Sequence, residues 1–190
     1  MDPYTMDDSV LLRETRRLEL ARRLLSHGVR TKIISQLTGM TRNRLATLRQ
    51  RLGVPNRTRR RGPTPSSLDR FLRGPLARSE AAAVAALCAA FDLPTLEREL
   101  SLMPASFISF NYGERLCESY EAYRACYPRT QVELEELIML RGRLAKADQI
   151  ELGKCRNCKG LMLIDRFNGG RNCWHCDPTA YRDKTRTITS

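Results

Sequence analysis

Aromatic residues are scarce in this chain: they make up 6% of its 190 residues, and only one is tryptophan. Few aromatics argue against a protein that reads unpaired bases by stacking. Histidine occurs twice, no glycine-rich phosphate loop is present, and no nucleophile–base pair stands out, so an enzyme is not expected. Long apolar runs are missing too. The longest, residues 81–91, has 11 residues, short of the roughly 20 that a membrane-spanning helix needs. The chain opens with Asp2, Asp7 and Asp8 and no apolar block follows, so no signal peptide is expected. Negative charge is nearly absent from residues 11–79, which carry 18 basic and 3 acidic side chains.

What is present is basic and foldable. Lys plus Arg is 33 against 21 for Asp plus Glu, the formal charge is +12, and 42% of residues are hydrophobic. Such an excess suits a polyanion, because Lys and Arg displace condensed counterions from phosphates. The charge is unevenly placed: residues 11–79 carry +15, residues 80–152 carry −5 and residues 153–190 carry +5. One end is thus expected to meet phosphate while the middle does something else, although a solvated basic face has the same composition. Seven cysteines without an export signal point to thiols or metal in a cytoplasmic protein, not to disulfides.

The hydrophobic pattern predicts a mainly α protein: a helical domain with an N-terminal helix-turn-helix-like segment and a small C-terminal four-cysteine, zinc-ribbon-like module. Four regions are expected: a basic helical segment (1–56), a basic, Pro-containing linker (57–78), an acidic helical scaffold that binds a partner (79–152), and the cysteine module with its basic tail (153–190). In the first, a helix from Ser9 to Ser26 aligns Leu11, Leu18, Ala21 and Leu25. A short helix from Thr31 to Thr38 follows, then a turn at Gly39, then a third helix capped by Thr41, running to about Leu52 and closed by Gly53 and Pro55. At 100° per residue, Leu45, Leu48 and Leu52 face inward while Asn43, Ala46, Thr47 and Gln50 face out, with Arg42 and Arg49 on one flank and Arg44 and Arg51 on the other. A helix in the major groove wants small and amide side chains at base edges and guanidinium groups beside phosphates. Thr41, Arg42, Asn43, Arg44, Thr47, Arg49, Gln50 and Arg51 are therefore the candidate DNA contacts. Arg57, Arg59, Arg60 and Arg61 join them as an arm. The alternative for the first set is a plain helical hairpin with a basic surface, and for the second a solvated linker.

In the acidic region helices are expected over Ser79–Phe91, Pro94–Met103, Glu114–Tyr127 and Thr130–Ala147. Leu116, Tyr120, Tyr123 and Tyr127 align on one, Leu134, Leu137, Ile138 and Leu144 on another, where Arg141 intrudes and calls for a polar partner. Cys88, Cys117 and Cys126 read as buried thiols. Cys155, Cys158, Cys173 and Cys176 form two C-x2-C pairs separated by 14 residues. Two such knuckles complete a tetrahedron of sulfurs, so one structural zinc ion per chain is expected, with no open position for catalysis. The redox alternative expects a C-x-x-C at a helix start near a βαβ unit, which is not visible. A strand over Leu161–Phe167 and a hairpin turn at Asn168-Gly169-Gly170 are expected between the pairs.

The run from Leu20 to Gly28 (LARRLLSHG), the segment Leu37–Leu52, the pair Tyr120 and Tyr123 after Ser119, and the cysteine quartet followed by Asp177 and Pro178 together resemble the FlhC family of flagellar transcriptional activators. The likeness extends from about Ser9 to Tyr181. It implies a cytoplasmic activator of class 2 flagellar operons that binds double-stranded promoter DNA as a hetero-oligomer with an FlhD-type partner, with RNA polymerase as a further partner and no membrane contact. It also implies that the quartet binds zinc. The competing expectation is an RNA-binding or ribosome-associated zinc-ribbon protein.

Overall fold

The computed structural model describes residues 8–54, 67–93, 95, 110–147, 149–167 and 170–178. It is mainly helical, with a small cluster of four cysteines towards its C-terminal end. The helices are α1 (Asp8–Ser26), α2 (Thr31–Thr38), α3 (Arg42–Arg51), α4 (Asp69–Leu72), α5 (Gly74–Ala90), α6 (Phe110–Cys126) and α7 (Leu134–Lys146); the strands are β1 (Ile150–Lys154) and β2 (Leu161–Asp165). The chain forms two compact units, and each is built from two separate stretches: residues 1–64 with 96–135, and residues 65–95 with 136–190. The linear four-part division read from charge does not coincide with these units, because long-range packing sets them. The expected helix over Pro94–Met103 lies, apart from Thr95, outside the described residues.

In the first unit α1 packs against α2, α3 and α6. Its buried residues are Leu20, Ala21, Leu24 and Leu25, an i, i+1, i+4, i+5 stripe of an amphipathic helix. The expected stripe lies one step away from this one: Ala21 and Leu25 are buried, but Leu11 and Leu18 are 48% and 41% exposed. Helix α2 buries Ile33, Ile34 and Leu37 and ends at Gly39, whose φ of 66° is left-handed and whose N–H donates to the Ser35 carbonyl at 2.8 Å. A side chain there would be strained, which is why glycine serves as the stop. Helix α6 buries Leu116, Tyr120 and Tyr123 as expected, whereas Tyr127, one residue past its end, is 45% exposed. Cys117 is buried and Cys126 is exposed, so the expectation of a buried Cys126 fails at the last turn of the helix.

The charge split is partly consumed inside this unit. Arg16 donates twice to Glu114, at 3.0 and 2.7 Å. Arg23 does the same to Glu121, at 3.2 and 2.8 Å. Glu135 accepts from both the guanidinium and the backbone N–H of Arg30. This last carboxylate is 3% exposed and supplies negative charge at the start of α2, which has no acidic residue in its first turn. The acidic half of the middle region is therefore a counterpart to the basic helices as much as a separate surface.

In the second unit α5 packs on β2 and on α4. Pro75 sits in the first turn of α5, where its fixed φ suits a helix and its missing N–H costs nothing. Ala81, Ala82, Val84, Ala85 and Cys88 are buried on it. Within the supposed linker residues 67–78 are built into the second unit: Leu68 and Phe71 are core residues, and α5 begins five residues before Ser79. Those two apolar side chains give the segment something to bury, which its charges and prolines concealed. Helix α7 starts at Leu134 and not at Thr130, whose hydroxyl instead accepts the N–H of Val132 at 3.0 Å. Leu134, Leu137 and Leu140 are buried, while Ile138 and Leu144 are half-buried. Arg141 has the polar partner its position called for, donating to the Leu93 carbonyl at 2.7 Å. Strand β1 has no counterpart in the sequence-based expectations. It pairs antiparallel with β2, with Leu152 opposite Leu163.

Candidate metal centre and nucleic-acid interface

The strand pair delivers the first two cysteines. Residues 155–160 join β1 to β2, so the first knuckle is itself the turn of the hairpin. The Cys155 N–H donates to the Gly160 carbonyl at 2.9 Å and the Lys159 N–H to the Cys155 carbonyl at 3.1 Å. Lys159 takes the left-handed conformation, with φ of 61°. The anticipated hairpin turn falls at Asn168-Gly169-Gly170, of which 168 and 169 lie outside the described residues. The second knuckle closes through Cys176 N–H to Cys173 carbonyl at 3.0 Å. The two knuckles are tied by Arg156 N–H to Arg171 carbonyl at 2.9 Å.

All four sulfurs lie within 4.8 Å of one another, and Cys158 Sγ is 3.6 Å from Cys173 Sγ. A tetrahedron with metal–sulfur bonds of about 2.3 Å sets its sulfurs about 3.8 Å apart, so one ion fits this set. Cys155 is buried, Cys173 and Cys176 are half-buried, and Cys158 is exposed. The backbone N–H of Cys173, 3.2 Å from Cys155 Sγ, and then that of Cys158 favour the thiolate and hold the Cys155 thiol down at about 6. Desolvation and then the neighbouring thiols push Cys176 up. The cluster thus favours one anion and resists further ones, a conflict that a bound cation removes. His175 is exposed and outside the cluster. The four cysteines can hold a metal ion.

The second candidate is α3. Thr41 caps it, accepting from the Arg44 N–H at 3.4 Å. Asn43, Ala46, Thr47 and Gln50 are all exposed, as are Arg42, Arg44 and Arg51. Arg44 pairs with Glu14 at 3.3 Å, and Thr47 Oγ1 donates back to the Asn43 carbonyl at 3.1 Å. Arg49 departs from expectation: it is 8% exposed, and so does not flank the outer face. Leu45 is 2% exposed and Leu52 40% exposed, so the buried arc is centred between Leu45 and Arg49. The helix is turned by part of a step from the orientation that three leucines suggested. Arg57, Arg59, Arg60 and Arg61 lie outside the described residues.

Sequence reasoning missed β1 and the pairing of Arg16, Arg23 and Arg30 with distant carboxylates. The only trace of the latter was the complementary charge of the two regions. Among the described residues no helix is long and apolar enough to cross a membrane. No protein-family model matches the sequence, and no curated protein matches it.

Proposed function

We propose that this protein is a DNA-binding transcriptional activator of the FlhC type, stabilised by one structural zinc ion per chain. The single observation that supports it most is the outer face of α3. Asn43, Ala46, Thr47 and Gln50 are exposed together on a capped helix that follows a short helix and a glycine turn. That order is the outline of a helix-turn-helix, and such side chains suit base edges in the major groove. Arg42, Arg44 and Arg51 stand beside them for phosphates, and the arm at Arg57–Arg61 follows in sequence. Zinc is the favoured ion because a closed set of four thiolates with knuckle spacing is its commonest structural site. By its resemblance to FlhC, the chain acts in the cytoplasm on class 2 flagellar promoters, as a hetero-oligomer with an FlhD-type protein and in the company of RNA polymerase. It has no catalytic role in this reading.

The test is a mobility shift with flagellar promoter duplex against RNA of equal length, using the full chain with and without an FlhD-type protein. Preference for the duplex supports the activator. Preference for RNA supports the other reading, which one observation favours: Trp174 and Phe167 are 48% and 75% exposed in the cysteine module, where arginines 156, 166 and 171 are also exposed. Exposed aromatics among cations are what base stacking uses.

A further inference from the structure

A cavity of about 700 Å³ opens in the first unit between the start of α2 and the side of α3. Its size falls within the roughly 300–1,000 Å³ of small-molecule sites. Val29 and Leu45, each at most 2% exposed, give it an apolar floor together with Val54. Lys32 and Arg42 stand exposed at its rim, and Arg49 lines it while 8% exposed. No acidic residue lines it, and neither Lys32 nor Arg42 makes an ion pair among the described residues.

Two features select the ligand. Arg30 also lines the cavity but is neutralised by Glu135, so Lys32 and Arg42 set its sign, and cationic side chains around a concavity raise its potential and favour an anion. A guanidinium presents a planar fork of donors that suits phosphate or carboxylate, and Arg42 places one at the rim. The apolar floor wants more than a bare anion, because burying Leu45 and Val29 against an apolar or flat group is where non-polar contact is gained. A duplex backbone offers charge but nothing apolar to fill that floor. At 100° per residue the cavity faces between a quarter-turn and a third of a turn round α3 from Asn43 and Thr47, sharing Ala46 and Gln50 with the outer face and Arg42 with its flank.

We infer that this cavity binds a small organic phosphate of nucleotide size, its phosphate at Lys32 and Arg42 and its flat body over Val29, Leu45 and Val54. The site stands whether or not α3 reads DNA.

Titration calorimetry of the full chain with ADP tests it, with inorganic phosphate and adenosine as partial probes. Saturable binding of one ADP per chain is expected, tighter than either probe. Lys32→Glu and Arg42→Glu are each expected to weaken it at least tenfold, while Arg13→Glu, the same charge change on an exposed α1 residue away from the cavity, changes it less than twofold. Unaltered thermal melts show that the variants fold; if Arg42→Glu does not, Lys32→Glu carries the test. Absence of saturable ADP binding overturns the inference, and so do equal losses from all three variants. If promoter duplex binding falls in Lys32→Glu while ADP never binds, the cavity serves the DNA backbone and the inference is wrong, although the DNA reading then survives.

Discussion

Cys155 is the most enclosed of the four thiols and the one whose anion the backbone favours, so its loss should be felt most. Serine at this position leaves three sulfurs and a weak ligand for the ion. Cys155→Ser is expected to purify without metal and to be trimmed by protease from the C-terminal side, while wild-type protein carries one zinc by elemental analysis; a metal-free wild type, or a stable metal-free variant, would count against the site. On α3, residues of different exposure should answer differently. Asn43→Ala is expected to lose about 1–3 kcal/mol of affinity for the cognate promoter with little change in non-specific binding. Arg51→Ala is expected to weaken both and to flatten the plot of log affinity against log salt by about one unit. Arg49→Ala belongs elsewhere: with its side chain buried, truncation should cost about 1–3 kcal/mol of stability through lost packing. Urea unfolding separates the two kinds of effect, since only Arg49→Ala should shift the midpoint.

Among the elements, α1 and α6 come close at Gly113, where an added Cβ would lie 2.6 Å from Leu20 Cδ2. Leu20 is 1% exposed, so any shift of its side chain must be taken up by its packed neighbours. Gly113→Val is therefore expected to lower stability by about 1–3 kcal/mol by overpacking, read as an earlier midpoint in chemical denaturation; an unchanged midpoint would mean the helices part freely. This is also the scale at which the sequence was most and least legible. Helix α2 and the start of α3 were legible to the residue, because Thr41 and Gly39 are local signals whose chemistry acts within one turn. The quartet was legible because ligand spacing is a local property as well. The rotation of α3, the buried face of α1 and the burial of Leu68 and Phe71 were not, since each is decided by which partner covers which side. Strand β1, written IELGK, has too few apolar residues to announce itself. It exists because β2 and the first knuckle lie beside it.

For the molecule as a whole, the opposed charges of its regions predict a response to acid. Burial alone would raise the Glu121 carboxyl, but hydrogen bonds from Arg23 and His27 outweigh it and hold the group below its ordinary value. A carboxylate so depressed stabilises the fold above its unfolded value, near ~4.3, and that contribution disappears as pH falls through the folded value. The melting temperature is expected to decline between about pH 5 and pH 3, and Glu121→Gln to flatten part of that decline. Parallel curves for the two proteins would show that the pairing adds nothing. The interleaving of the two units has a consequence for biosynthesis. Helix α5 ends at Ala90 and the strand it packs on begins at Leu161, so about seventy further residues must leave the ribosome before that partner arrives. At about 5–20 residues per second the wait is roughly 4–14 s. Meanwhile residues 96–135 can complete the first unit. The first unit can therefore fold while α5 has only α4 beside it, and the ion cannot be enclosed until Cys173 and Cys176 have followed β2 out of the ribosome.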